Sequence, residues 1–163
     1  MAQASRTDSP TINKIAEDSF NVTYRDIVPA NQLEWMFEDM YSLESIRRQF
    51  DEGQLYFLLY HRGEPIGYLS LDPHGDNLVH LEKLYLLPKS QGLGYGRILI
   101  EYAFAKVKEM CGGESCRVEL NVNRYNKAVD FYFRIGLKIA REGDYIIEGT
   151  DFVRPDYILY KEL

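Results

Sequence analysis

The spacing of hydrophobic residues changes along the chain between the periods of helices and strands. Leu99, Ala103 and Val107 recur every four residues, which predicts a helix over about 94–110. Between 117 and 122 every second residue is apolar, which predicts a strand. Further helices are predicted over 11–24, 31–40, 42–50 and 126–134, and strands over 55–61, 66–71, 78–87, 137–140 and 157–161, with a short edge strand within 2–7.

Cap and turn residues mark where several of these elements begin and end. Ser9 followed by Pro10 is typical of an N-cap and a first helical residue. Gly112 occupies the position at which glycine commonly ends a helix. Turns over 62–65 and 72–77 connect consecutive strands, and the first of them makes an antiparallel hairpin. The order of elements predicts a mixed α/β (α+β) fold with a sheet of six or seven strands, in one domain over 1–163.

Composition narrows the classes of function. Twenty-five acidic against 19 basic residues give a net charge of −6, which disfavours a nucleic-acid partner. No apolar run approaches the ~18 residues of a membrane span. Residues 1–9 lack the apolar core of a signal peptide, so we expect a cytoplasmic protein without membrane association. Cys111 and Cys116 have poor spacing for zinc, so we expect free thiols and no metal site.

A glycine-rich turn is the first feature with candidate chemistry. It reads Gln91-Gly92-Leu93-Gly94-Tyr95-Gly96 and lies between a predicted strand and a predicted helix. Successive backbone amides at such a junction, aided by the helix dipole, can bind a phosphate group. The spacing matches neither the G-x-G-x-x-G motif of dinucleotide-binding folds nor a Walker loop. On spacing alone, a plain tight turn is the alternative.

Two segments together resemble the GNAT superfamily of N-acetyltransferases. The turn fits the acetyl-coenzyme-A signature Q-x-x-G-x-G, and residues 126–137 are similar to N-x-A-x-x-F-Y-x-x-x-G-F, with leucine in the last position. The resemblance covers 54–163 and implies a mostly antiparallel sheet of six to seven strands flanked by about four helices. Residues 39–48 (D-M-Y-S-x-E-x-I-R-R) and 157–161 are also similar to bacterial spermidine/spermine N-acetyltransferases.

The resemblance implies acetyl-CoA as cosubstrate and indicates where it binds. Its pyrophosphate would lie on the amides of the glycine-rich turn, with Arg97 adding positive charge. Its pantetheine arm would pair with the main chain of the preceding strand, as an added strand does. Either Asn123 or Asn126 would hydrogen-bond the cofactor. The full expected set is Leu84, Tyr85, Leu86, Gln91, Gly92, Leu93, Gly94, Tyr95, Gly96, Arg97, Asn123 and Asn126.

Acetyl transfer to an amine needs a proton donor for the departing thiolate, whose thiol has a pKa near ~8.5. Tyr132 aligns with the tyrosine that usually serves as this general acid in the family. A phenol with a pKa near ~10 stays protonated at neutral pH. The alternative is that Tyr132 only packs in the core.

The reaction also needs a base, because the pKa of a protonated amine is near ~10.4. Glu82 is the predicted base and would act through a water molecule. The two-residue period of a strand places it on the same face as Leu84 and Leu86. His80, Glu119 and water itself are the other candidates.

The acceptor is expected to contact the helices after the first strand and the loops over 145–157. Trp35, Glu38, Asp39 and Tyr41 interleave acids with aromatic rings, which suits a polycation, although a solvated helix face has the same composition. The expected acceptor is a small primary amine, with a polyamine first. The alternatives are a peptide or protein amine, or a CoA-binding module without catalysis. A homodimer is common in the family, but nothing in the sequence selects an oligomeric state.

Overall fold

The computed structural model describes residues 1–75 and 77–163; Asp76, within the predicted turn 72–77, lies outside them. The helices are α1 (Ser9–Tyr24), α2 (Ala30–Tyr41), α3 (Leu43–Asp51), α4 (Tyr95–Met110) and α5 (Ala128–Arg134). The strands are β1 (Ala2–Gln3), β2 (Leu55–His61), β3 (Glu64–Pro73), β4 (Leu78–Leu86), β5 (Arg117–Asn123), β6 (Lys138–Ile146) and β7 (Val153–Glu162). Among these helices, none has the length and apolar composition that crossing a bilayer requires.

The seven described strands form one sheet in the order β1-β2-β3-β4-β5-β7-β6. All neighbouring pairs are antiparallel except β4 and β5, which run parallel. The predicted mixed, mostly antiparallel sheet is therefore confirmed. Five α-helices occur in the described part of the chain, one more than the family resemblance implied.

Helices cover both faces of the sheet, and each face has its own hydrophobic cluster. The alternation along β2 shows the division, since Phe57 and Leu59 join one cluster while Tyr56 and Leu58 join the other. The first cluster, on the α4 side, includes residues of α4 and α5, and the second, on the α1 side, includes residues of α1, α2 and α3. Fully burying one such side chain contributes about 1.5–3 kcal/mol. Because helices pack on both faces of the sheet, the ends of its strands are held in place, and these ends form the candidate site described below.

The start of the chain differs from the prediction. Residues Arg6–Asp8 form a 3₁₀ turn, and β1 is confined to Ala2–Gln3. Asp8, not Ser9, is the N-cap of α1, and Pro10 lies in its first turn. The Ser9 hydroxyl donates to the carbonyl of Arg6 at 2.6 Å, so it bonds to the preceding turn rather than capping the amides of α1.

The last two strands are longer than predicted. The predictions were 137–140 and 157–161, whereas β6 and β7 extend towards each other as a long hairpin. Most of β6 is exposed and polar, so its sequence lacks the alternation that marks a half-buried strand. Pairing with β7, from Lys138–Tyr160 to Ile146–Val153, fixes its extended conformation instead.

Candidate active site

The sheet opens between β4 and β5. These strands pair only from Leu78–Arg117 to His80–Glu119, and pairing then stops, while β5 stays paired with β7 as far as Asn123. Residues 81–86 of β4 therefore have an edge that no strand of the described chain occupies. An extended ligand can add to such an edge through main-chain hydrogen bonds.

The glycine-rich turn lies at the end of this free edge. Gly92 and Gly94 have φ angles of 74° and 86°, in the left-handed region that favours glycine. The first helical hydrogen bond of α4 is donated by the amide of Ile98 to the carbonyl of Gly94, at 3.4 Å. Among the described residues, the amides of 92–94 donate no backbone hydrogen bond. The amides of 95–97 come before the first helical bond and have no partner within the helix. A row of unpaired amides at a helix N-terminus is an anion-binding site.

The side chains around the turn leave its amides accessible. Leu93 is 67% exposed. Gln91 folds back and donates from Nε2 to the carbonyl of Leu86 at 3.2 Å, which links the turn to the end of β4. Arg97 is exposed and pairs with Glu101 at 2.7 Å, one helical turn further along α4. An exposed ion pair of this kind is weak, so Arg97 can turn toward a bound anion.

A cavity of about 330 Å³ lies beside the opening, among residues of the α1-side cluster. Four aromatic rings, two carboxylates, an arginine, two imidazoles and three amides contribute to its wall. These polar and aromatic lining residues are Phe20, Tyr24, Tyr41, Tyr85, Glu82, Asp156, Arg154, His74, His80, Gln32, Asn121 and Asn123. Carboxylates beside aromatic faces can hold an ammonium group.

Glu82 reaches this cavity because of a β-bulge. The register between β3 and β4 shifts between Ser70 and Leu71, and Glu82 is left without a partner on β3. The extra residue reverses the alternation of side chains along β4. Glu82 therefore lines the cavity, whereas Leu84 and Leu86 pack in the α4-side cluster. The prediction that Glu82 shares a face with these two leucines is wrong, because it assumed an unbroken two-residue period.

His80 lies between Glu82 and the neighbouring strand. Its Nδ1 is 2.8 Å from Oε1 of Glu82, and its Nε2 is 3.0 Å from Oδ1 of Asn121 on β5. Burial lowers the pKa of His80, but its contact with Glu82 and the charge of that carboxylate raise it above its usual value. Burial conversely raises the pKa of Glu82, but His80 outweighs it and the pKa is lowered. Glu82 is thus a carboxylate at neutral pH.

Glu119, another candidate base, is committed elsewhere. Its side chain is 8% exposed and contacts Arg117 at 3.5 Å and Arg141 at 3.1 Å. It does not line the cavity. Two arginines therefore already pair with the carboxylate of Glu119.

Tyr132 lies on α5 with 7% of its surface exposed and packs in the α4-side cluster. Within the described chain, no hydrogen bond engages its hydroxyl. Burial raises the pKa of Tyr132 well above its usual value, and neighbouring Tyr24 raises it further. Tyr132 is therefore a protonated phenol over the whole physiological range. Tyr24, which the sequence did not single out, lines the cavity.

The two candidate asparagines differ in what they already bind. Asn126 accepts the amide of Ala128 at 2.9 Å and donates to the hydroxyl of Tyr24 at 3.1 Å, so both ends of its side chain are used. Asn123 accepts the amide of Tyr125 at 3.0 Å and lines the cavity. Its Nδ2 donates no hydrogen bond to any described residue.

Only one of the four predicted acceptor residues lies in the cavity wall. Tyr41 is 1% exposed, and its hydroxyl is 2.8 Å from that of Tyr85. Trp35 packs against Phe152, with ring centroids 6.0 Å apart, outside the lining. Glu38 and Asp39 are exposed, because α2 turns its apolar face inward and its acids toward solvent.

The structure adds an ion pair that the sequence did not single out. Asp156 on β7 is 4% exposed and pairs with Arg154 at 2.9 Å, and both line the cavity. They fall within the 145–157 segment that was expected to contact the acceptor. Gln32 of α2 donates to the carbonyl of Val153 at 3.0 Å and so connects α2 to this strand. A long-range contact of this kind has no local sequence signal.

The chain is similar to known acetyltransferases. Residues 15–137 match the sequence profile of the acetyltransferase (GNAT) family. The chain is 31% identical over 100 residues to the peptidyl-lysine N-acetyltransferase YjaB of Escherichia coli, covering 60% of this chain and 59% of the relative. It is 34% identical over 104 residues to an uncharacterized N-acetyltransferase of Mycobacterium tuberculosis, covering 63% and 64%. Both alignments span less than two thirds of the relative's length.

Solved structures of acetyltransferases resemble nearly the whole chain. The PaiA N-acetyltransferase of Thermoplasma acidophilum, in complex with coenzyme A, has a TM-score of 0.78 to this fold and 25% sequence identity. The match covers 98% of this chain and 96% of that one. The similarity therefore extends over nearly the whole fold.

Proposed function

Because the chain belongs to the acetyltransferase (GNAT) family, we propose that it transfers the acetyl group of acetyl-CoA to a primary amine in the cavity beside Glu82. The fold, the enzyme class and the cosubstrate expected from the sequence are those of this family. The observation that supports the proposal best is the opening between β4 and β5. It has free amides at one end and a carboxylate-lined cavity beside it.

Acetyl-CoA supplies the activated thioester, and this chain offers groups suited to the rest of the molecule. We propose that the amides of residues 92–97 bind its pyrophosphate, aided by Arg97. The main chain of 84–86 lies on the free edge of β4 and would pair with the pantetheine arm. Asn123 is the better placed of the two asparagines, since its Nδ2 is unengaged among the described residues.

The proposed chemistry is direct attack by the amine, with two side chains handling protons. Glu82 accepts the proton that the attacking ammonium must lose, directly or through a water molecule. Making an amine of pKa ~10.4 nucleophilic at pH 7 costs about 4–5 kcal/mol, so a positioned base is needed. As the C–N bond forms and the C–S bond breaks, Tyr132 donates a proton to the sulfur. Its raised pKa keeps that proton available.

We propose a small amine as the acceptor, with a polyamine first. The cavity holds two carboxylates, Glu82 and Asp156, among aromatic rings, which suits a molecule with more than one ammonium group. Gln32 and Met36 of α2 close one side of the cavity. A peptidyl lysine is the second candidate, and the name of the Escherichia coli relative favours it.

We also propose a cytoplasmic location, because Cys111 and Cys116 are free thiols.

An acceptor panel tests the proposal. Purified protein with acetyl-CoA is expected to release CoA faster with spermidine than with lysine peptides. Turnover of the peptides alone would favour the second candidate. CoA binding without turnover on any amine would make the chain a non-catalytic CoA-binding module.

Two variants test the roles of the side chains. Glu82→Gln and Tyr132→Phe are each expected to lower kcat about 10²-fold, since each removes one proton-transfer group. Tyr125→Phe is the matched control, because Tyr125 is 69% exposed, and it should keep the wild-type kcat. A wild-type rate in Tyr132→Phe would assign the tyrosine to core packing alone.

A further inference from the structure

A second set of chemical groups lies at the rim of the cavity, where β3 ends and β4 begins. Asp72 is near the end of β3, His74 follows that strand, and Glu82 occupies the bulge of β4. One ligand atom of each side chain lies within 4.8 Å of the other two. The main chain fixes this arrangement, because the amide of His74 donates to the carbonyl of Leu78 at 2.9 Å. The three side chains offer two carboxylates and one imidazole to a single point.

The distances within this set suit a small divalent cation. Oδ2 of Asp72 and Nε2 of His74 are 3.2 Å apart. Two ligands at ~2.0–2.1 Å from a tetrahedral Zn²⁺ are about 3.3–3.4 Å apart, close to this value. The Asp72 and His74 side chains are 34% and 46% exposed, so both can move the remaining fraction of an ångström.

His80 lies against this set and brings a second imidazole to the same region. Its Nδ1 is sealed from solvent and makes no well-directed hydrogen bond to the described residues, although Oε1 of Glu82 is only 2.8 Å away. At 2.8 Å this is a direct contact, shorter than the ~3.3–3.4 Å between two ligands of one tetrahedral ion, so His80 lies beside the three ligands rather than among them. The ring of His80 is 5.7 Å from that of His74, so both imidazoles face the same region.

We propose that Asp72, His74 and Glu82, with His80 beside them, bind a divalent transition-metal ion such as Zn²⁺, and that this ion inhibits acetyl transfer. Imidazole combined with carboxylates suits Zn²⁺, whereas Mg²⁺ keeps its waters and prefers oxygen ligands. A Glu82 that coordinates the ion no longer accepts the proton of the amine, and the added positive charge repels an ammonium group. Inhibition rests on the proposed function, but binding does not.

Calorimetry with untagged protein and Zn²⁺ as the probe tests binding directly. One equivalent is expected to bind to the wild type, and Asp72→Asn and His74→Gln should each weaken binding by 10-fold or more. Asp18→Asn is the matched control, because Asp18 is also a partly exposed carboxylate, at 42%, and is paired with Lys14 on α1. It should bind Zn²⁺ like the wild type. Absence of binding, or equal binding by all variants, would overturn the site.

Acetyl transfer measured by mass spectrometry of the acetylated amine tests inhibition without a thiol reagent. The wild type should lose activity as Zn²⁺ fills the site, and Mg²⁺ at the same concentrations should have no effect. The Asp72→Asn variant should keep the wild-type rate without zinc, because Asp72 does not line the cavity. Its half-inhibition should need a Zn²⁺ concentration 10-fold or more higher. Equal zinc sensitivity of wild type and Asp72→Asn would refute the inhibitory link. Failure of acetyl transfer without zinc would instead refute the proposed function, and the calorimetry would still decide the metal site.

Discussion

Lys83 is an unusual residue for the interior of this fold. It follows the bulge and is 5% exposed. Its Nζ donates to the side-chain oxygens of Gln49 at 2.7 Å and Gln54 at 3.3 Å, near the rings of Tyr41 and Tyr56. None of the described carboxylates pairs with it at ion-pair distance. Burial lowers the pKa of Lys83 to about 8, so keeping the ammonium charged at neutral pH costs about 3 kcal/mol.

Replacement of this lysine by an apolar side chain of similar length should therefore stabilise the protein. Lys83→Met is expected to raise the free energy of unfolding at pH 7 by about 1–3 kcal/mol, measured by urea denaturation. Gln49 keeps a donor after the change, because the hydroxyl of Tyr56 also bonds its side-chain oxygen.

Lys106→Met is the control for that measurement. Lys106 also lies beside a tyrosine ring, that of Tyr102, but its side chain is 29% exposed and pairs with Glu109. Its replacement should change stability by less than about 0.5 kcal/mol. A loss of stability in Lys83→Met would mean that the bonds to Gln49 and Gln54 are worth more than the desolvation of the ammonium.

The sequence predicts which residues belong to the candidate site better than it predicts which face of the sheet their side chains occupy. The position of Glu82 on the strand before the glycine-rich turn was sufficient to select it as a candidate base, and the structure has it in the cavity wall. Its face was not predictable, because a bulge depends on the register between two strands and leaves no mark in the period of one. The burial of Lys83 has the same origin, since the bulge turns it toward the α1-side cluster.

At the scale of elements, α4 was well predicted because its apolar stripe and its terminal glycines agree. The β6–β7 hairpin was underestimated because exposed strands carry no alternating pattern. Helix α4 has a left-handed glycine near each end, Gly94 with φ 86° and Gly113 with φ 82°. A Cβ added at either position would meet no other atom within 4 Å. The two positions are therefore equally uncrowded, and they differ in that only Gly94 lies in the proposed pyrophosphate site.

Gly94→Ala and Gly113→Ala form a matched pair on this helix. Each should destabilise the protein by about 1–2 kcal/mol, because alanine is strained in the left-handed region. Only Gly94→Ala should raise the KM for acetyl-CoA, by 10-fold or more, because Gly94 lies among the amides that we propose to bind the pyrophosphate and Gly113 does not. Steady-state kinetics at saturating amine checks this difference. An equal KM in both variants would place the pyrophosphate elsewhere.

At the scale of the whole molecule, the sheet consists of two parts with a narrow junction. Strands β1 to β4 form one part and β5, β7 and β6 the other, and they pair directly at only three positions between β4 and β5. Helices α4 and α5 pack across the junction on one face. Cavity and free edge both lie where the two parts separate, so a ligand filling the opening would contact both.

Coenzyme A is therefore expected to stabilise the whole fold against heat. At a concentration 100 times its Kd, a ligand that binds only the native state adds ~2.7 kcal/mol. For a chain of this size that corresponds to a rise in Tm of about 5–10 °C in differential scanning fluorimetry. Glu82→Gln should show the same rise, because it removes a base and no cofactor contact. Gly94→Ala at the same CoA concentration should show a clearly smaller one, and Gly113→Ala should match the wild type. An unchanged Tm with CoA would mean that the opening does not hold the cofactor, because a ligand that bridges the two parts must oppose their separation.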